Sequence, residues 1–261
     1  MTPGFLGGAL RVWRRDMESW RKYYKASLVG ALGEPILSLL AIGYGLGRFV
    51  DINSGNPGTD ALGYAHFLAP GILASAAMNA ASFEATFGSY TRMTEQKTYD
   101  AILATPIGIR EIVAGDALWA ASKATLSGTA VLLVAVAAGL VRSWWAIGLP
   151  IVALVIGLVF ATMGLVVSSR ARAYDFFTYY FTLVISVMYF FSGIFFPLGT
   201  LPAWAQAIAW CLPLTHAVAL SRACAAGTVG LAALGHLGVL LAVLAITYTL
   251  AVHWVGRRLI A

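Results

Sequence analysis

Long apolar runs separated by short polar links dominate the chain. A membrane span needs roughly 20 mostly apolar residues, and six runs reach that length: 27–47, 62–90, 117–141, 144–167, 176–196 and 231–255. The first contains Glu34-Pro35 and ends in glycines. The second is rich in Ala and Ser, which permit close helix packing. The link 48–60 is full of turn formers, and Arg257-Arg258 stop the last run. Residues 197–230 are moderately apolar but broken by Pro197, Pro202 and Pro213. Each piece is too short to span, so short helices re-entering the outer leaflet are expected there. Ahead of the first run, Leu10, Trp13, Met17, Trp20 and Tyr24 follow helical spacing among basic residues, the pattern of a helix lying in the membrane interface over 4–25. The expected fold is an all-α integral membrane protein: one domain over 1–261, six transmembrane helices, an interfacial helix and re-entrant helices before the last span.

Composition supports lipid as the solvent. The 261 residues are 60% hydrophobic and 11% charged, with a mean hydropathy of +0.81; soluble domains carry about 25% charged residues. The net charge of +6 does not point to nucleic acid, because the basic residues lie beside apolar runs, where membrane-surface anchoring explains them. Arg14, Arg15, Trp20, Arg21 and Lys22 are the expected interfacial anchor. With the N-terminus inside, six spans place fourteen of the 17 Lys and Arg residues on the cytoplasmic side. Only Arg48, Arg142 and Arg222 fall outside. This asymmetry predicts cytoplasmic termini and outside positions for 48–61 and 197–230. The apolar run after Lys25 is long enough to span, which argues against a cleavable leader. Cys211 and Cys224 are expected as free thiols, with a single bridge as the alternative.

One long charged stretch, 92–116, separates the second and third spans. Within 92–106 a short amphipathic helix is expected, with Tyr99, Ile102 and Leu103 on one side and Arg92, Glu95 and Asp100 among the charges. Pro106 disfavours helix at Thr105. Such a helix is shaped to fit a groove in another protein; a solvated loop is the other reading of the same residues.

The run 99–106 (Tyr-Asp-Ala-Ile-Leu-Ala-Thr-Pro), followed by Glu111 to Asp116, resembles the cytoplasmic loop of ABC-2-type permeases. The resemblance extends over nearly the whole chain: the basic aromatic N-terminal helix, Glu34-Pro35, residues 83–87, Tyr174-Asp175, residues 191–197 and residues 212–216. Within that superfamily the chain is most similar to the NodJ-type membrane subunit of nodulation-factor (lipochitooligosaccharide) exporters. The resemblance implies a bacterial inner-membrane homodimer with two copies of a separate ABC ATPase subunit. It also implies that the helix around 92–103 is the coupling helix, and that ATP and Mg are bound by the partner rather than this chain. A P-loop needs Gly immediately before Lys, whereas the four lysines follow Arg21, Tyr24, Gln96 and Ser122. A non-catalytic transport subunit without cofactor or metal is therefore expected.

Ionisable residues within or at the ends of apolar spans are functional candidates. Glu34, Glu84, Asp116 and Lys123 are of this kind, and structural pairing or gating is expected of them rather than a proton relay. Span five is crowded with aromatics. Tyr179, Tyr180 and Tyr189 either line a substrate path, where a phenol offers a flat face to a sugar ring and a hydroxyl, or belong to a lipid-facing belt. The expected activity is outward export of a lipo-oligosaccharide or similar amphipathic glycolipid. A drug or polysaccharide exporter of the same architecture, a proton-coupled transporter and an intramembrane enzyme are the alternatives.

Overall fold

The computed structural model describes residues 4–22, 24–45, 61–141 and 143–260. The 48–61 loop, apart from Ala61, and Arg142 lie outside the described residues. All regular elements among the described residues are helical: α1 (Phe5–Trp20), α2 (Tyr24–Leu40), α3 (Ala61–Phe83), α4 (Thr98–Leu103), α5 (Ile109–Ala137), α6 (Leu149–Arg170), α7 (Phe176–Tyr180), α8 (Ser186–Phe191), α9 (Ala203–Cys211), α10 (Pro213–Ala226) and α11 (Leu231–Ile260). Single π-helical turns extend α2 over Ala41–Gly45, carry α3 through Glu84–Gly88 and Thr91–Glu95, and join α7 to α8.

Among the described residues, three helical runs are long and apolar enough to cross a membrane: Ile109–Ala137, Trp144–Arg170 and Leu231–Ile260. The pair Ala203–Cys211 and Pro213–Ala226 is bent by 85° and would make a fourth if counted as one broken span. The bend falls at Leu212, ahead of Pro213, where an extended residue is favoured and found.

α3, α5 and α6 form the centre. Their facing sides are small: Ala74, Ala77, Ala81, Ala120, Ala121, Ala124, Ala153 and Ala161 are buried, which lets the helices approach closely, so that dispersion holds these small-residue faces together. α11 packs on α6, with one hydroxyl bridge between Thr162 and Thr247 at 2.7 Å. At one end of the bundle Arg222 of α10 donates to the carbonyls of Gly193 (2.6 Å) and Ile194 (3.2 Å) and covers the Phe67 ring. At the opposite end Arg258 of α11 donates to the carbonyls of Ser168 and Ala171, both at 2.7 Å, and to Thr94. It thereby satisfies carbonyls at the end of α6 that have no partner within the helix.

Several sequence expectations shift. The helix of the third expected span, α5, begins at Ile109, well before 117, so the charged turn around Arg110 and Glu111 is its first turn. The continuous helix expected within 92–106 is broken at Lys97, whose φ of 52° is left-handed; residues 91–95 belong to the α3 run and only six residues form α4. Span five ends at Phe191, and residues 192–196 bend away. α1 buries Gly8, Ala9, Val12 and Asp16, whereas its expected apolar face included Leu10, which is exposed. The reason is its neighbour. α1 lies against α5, and at Gly115 an added Cβ would sit 2.6 Å from both the Ala9 carbonyl and Val12. Small side chains, not aromatic ones, fit that crossing.

Candidate functional site: a buried charge cluster and the cavity above it

At the Arg258 end of the bundle, α1, α3, α4 and α5 each send a polar side chain to one point. Arg92 stands at its centre. Its Nη1 donates to Glu84 Oε1 at 2.7 Å, and its Nη2 lies 3.1 Å from Asp116 Oδ1 and 3.2 Å from Ser89. Its Nε is 4.0 Å from Asp16. Asp116 also accepts from Ser89 at 2.5 Å and from the Tyr99 phenol. The second oxygen of Glu84 accepts from Lys123 at 2.6 Å, and the Trp119 indole donates to the first at 3.0 Å. Asp16 is held by its neighbour Arg15 at 2.5 Å.

Local sequence explains the convergence. Glu84, Gly88 and Arg92 recur every four residues, and the π-turns keep them on the inner side of the α3 run. Gly88 is required there, because a Cβ would lie 2.6 Å from Glu84 Oε1. On α5, Asp116, Trp119 and Lys123 occupy one face at i, i+3 and i+7. The left-handed Lys97 turns the chain back so that Tyr99 points inward.

Charge within the cluster is close to balanced. Three buried carboxylates (Asp16, Glu84, Asp116) surround two part-buried cations (Arg92, Lys123), with Arg15 at the edge. Burial, then the charge of Asp116, pushes the Asp16 carboxyl up to about 7, against the opposing pull of Arg92 and Arg15. Burial and the Asp116 carboxylate push the Tyr99 phenol well above its ordinary value, so it acts as a neutral donor. Desolvated ions held this way need every partner, since the loss of one leaves an uncompensated buried charge.

A cavity of about 1050 Å³ opens above the cluster. Arg15, Asp16, Glu84, Arg92 and Lys123 line its charged floor, while Ile72, Ala76, Phe83, Leu126, Phe181 and Tyr189 line its apolar walls. It is a two-toned space, ionic at one end and greasy at the other.

The expected site residues divide accordingly. Arg92 and Glu84 are brought together in the cluster. Tyr99 is buried at 1% exposure and faces α5 rather than outward. Ile102 and Leu103 pack half-buried against the core, while Glu95 and Asp100 are exposed. Of the tyrosines, Tyr189 lines the cavity, Tyr180 is buried outside its lining, and Tyr179 is 65% exposed. Arg14 pairs with Glu18 on the surface, Arg21 and Lys22 are exposed, and Trp20 packs on Trp119 and Tyr24. The Glu34 side chain lies outside the described residues. Asp16 and Ser89 were not singled out in the sequence. The available signal was an acidic residue in line with Ala9 and Val12 on an otherwise basic helix.

Comparison with known proteins agrees with this architecture. Residues 9–226 match the family described as ABC-2 type transporter. Nodulation protein J of Rhizobium leguminosarum bv. viciae is 39% identical over 96% of this chain and 94% of its own. Nodulation protein J of Sinorhizobium fredii (strain NGR234) is 37% identical over 97% and 94%, and that of Bradyrhizobium diazoefficiens is 41% identical over 81% and 78%. With most of its length matched and its membrane-crossing helices packed around an ionic cluster, the chain belongs to the ABC-2 type transporter family and is a membrane subunit of an ABC transporter.

Proposed function

We propose that this chain is the permease half of an ATP-driven exporter that moves a lipo-oligosaccharide or similar amphipathic glycolipid outward across the bacterial inner membrane. It works as a homodimer with two ATPase subunits, which bind ATP and Mg. In this reading α2, α3, α5, α6, α7–α8 and α11 are the six spans, α9–α10 re-enter from outside, and both termini are cytoplasmic. The basic residues near the charge cluster favour that orientation.

The observation that carries the reading is the Tyr99–Asp116–Arg92–Glu84 chain of contacts. It links α4 directly to α3 and α5, the helices that wall the cavity. Glu95 and Asp100 face outward, available to an ATPase, while the same segment is tied inward by Tyr99. A push on α4 would therefore reach the cavity through ionic contacts rather than through a soft loop. The amphipathic cavity suits a molecule that leaves the inner leaflet sideways, since each methylene kept from water is worth about 0.8 kcal/mol. The name shared by the relatives, Nodulation protein J, favours a lipo-oligosaccharide cargo over drugs or polysaccharide.

The test is reconstitution of the permease with its cognate ATPase in nanodiscs. An N-acylated chito-oligosaccharide is expected to raise ATP hydrolysis, and deletion of the permease should leave that molecule inside the cell. Co-purification of no ATPase, or export that persists in the deletion strain, would overturn the proposal.

A further inference from the structure

One residue of the cavity wall is out of keeping with both its ends. Asn79 sits in the middle of α3, about 20 Å along the helix axis from Arg92 at 1.5 Å per residue. It lines the cavity and is half-buried. Among the described residues its carboxamide has no hydrogen-bond partner. In hydrocarbon an unpartnered amide is costly, and polar side chains at membrane depth face the bundle interior or a water-filled cavity. The neighbouring wall is polar in the same uncharged way. Ser75, one helical turn away, and Ser38 of α2 and Ser127 of α5 across the space, also line the cavity.

The chemistry of this level is specific. A carboxamide offers two donors and an acceptor, and a hydroxyl offers a donor and acceptors. That set complements hydroxyls and secondary amides, which also both donate and accept. It does not match an ionic head, because the lining charges Glu84 and Lys123 already hold each other at 2.6 Å. It does not match a bare acyl chain, which gains nothing from a carboxamide.

We infer that Asn79, with Ser75, Ser38 and Ser127, forms a mid-membrane binding station for the uncharged, hydroxyl- and amide-bearing head of an amphipath, whose acyl chain lies against Ile72 and Leu126. The inference rests on the export reading above and adds the place where the head is held and the residue that selects it. The charged floor then serves as a mechanical and ionic base, and Asn79 as the discriminator between a glycolipid and an ordinary lipid tail.

The experiment uses the full permease in nanodiscs without the ATPase. It measures equilibrium binding of three radiolabelled probes: N-palmitoyl chitotetraose, palmitate and chitotetraose. The wild type should bind the N-acylated probe more tightly than palmitate. N79A removes only the carboxamide in a helix already rich in alanine. It should weaken the N-acylated probe about tenfold, about 1.4 kcal/mol, and leave palmitate unchanged; N79Q should recover most of the loss. N79L, which fills the space with an apolar group, should remove the preference for the head altogether. Equal binding by wild type and N79A, or an equal loss for palmitate, would overturn the station. Failure of the export reading shows separately, as absent ATPase stimulation by the same probe in the assembled transporter while binding to the permease persists.

Discussion

The Tyr99 phenol donates its hydrogen bond to the carboxylate of Asp116, so a six-residue helix is fastened to α5 about two turns from its start. Asp116 is in turn bound to Arg92 and Ser89. The helix proposed to meet the ATPase is thus tied on its inner side to the charge cluster through the Tyr99 hydroxyl, beside the packing of Ile102 and Leu103 on the core.

Tyr99→Phe keeps the ring and deletes that hydroxyl. A hydrogen bond to a charged group is worth about 1.5–3 kcal/mol. The variant should insert and bind its ATPase normally, but substrate should no longer raise ATP hydrolysis to the wild-type extent. Unaltered stimulation in nanodiscs would show that the inner fastening of α4 does not transmit motion.

Arg92→Met strands Glu84, Asp116 and Asp16 around an apolar group. Breaking a buried pair from one side costs about 3–5 kcal/mol, so the melting temperature of the detergent-purified protein should fall sharply. Adding Asp116→Asn to Arg92→Met should recover part of the loss, because one uncompensated charge is removed. No recovery in the double variant would mean that Arg92 acts through packing alone.

Asp16 gives a pH dependence with a definite sign. Its carboxyl is pushed from 3.8 up to about 7, so the folded protein binds this proton more tightly than the unfolded chain. Stability from this group should be greatest at low pH and fall as pH rises from about 4 to about 7, the reverse of a salt-bridged carboxylate. Asp16→Asn should remove that slope from the thermal stability profile. A slope that survives the substitution belongs to another group.

Glu95→Lys and Asp100→Lys reverse two exposed charges. Exposed substitutions away from special features change stability by about 0.5 kcal/mol or less, so the permease should remain folded and abundant. Co-purification of the ATPase is expected to drop, with partial recovery at high salt, because salt screens the repulsion between exposed like charges. Full retention of the ATPase by both variants would move the docking surface elsewhere.

Much of the helix layout was legible because membrane spans announce themselves by length: the helices around 117–141, 144–167 and 231–255 are present with shifted ends. The bend at Leu212–Pro213 was readable from the proline. The charge cluster was only half legible. Glu84, Asp116 and Lys123 stand out as ions in apolar runs, but Arg92, the common partner of Glu84 and Asp116, reads as an ordinary loop cation until the π-turns of α3 carry it inward. Tyr99 read as part of an outward apolar face because nothing local reveals the left-handed Lys97 that rotates it. Asp16 was hidden by its basic surroundings. Asn79 looked like one more small polar residue in a helix full of them, and only the cavity distinguishes it.

The Arg258 clamp has a consequence for how the protein is made. Arg258 follows Ser168 by 90 residues, so the carbonyls that end α6 stay open while everything between is translated. At about 5–20 residues per second, that interval lasts about 5–20 s. Throughout it, the corner between α6 and α7 and the contact to Thr94 lack their arginine. The charged end of the bundle is therefore sealed late, by a residue of α11, and until that helix is made the corner between α6 and α7 stays unfinished.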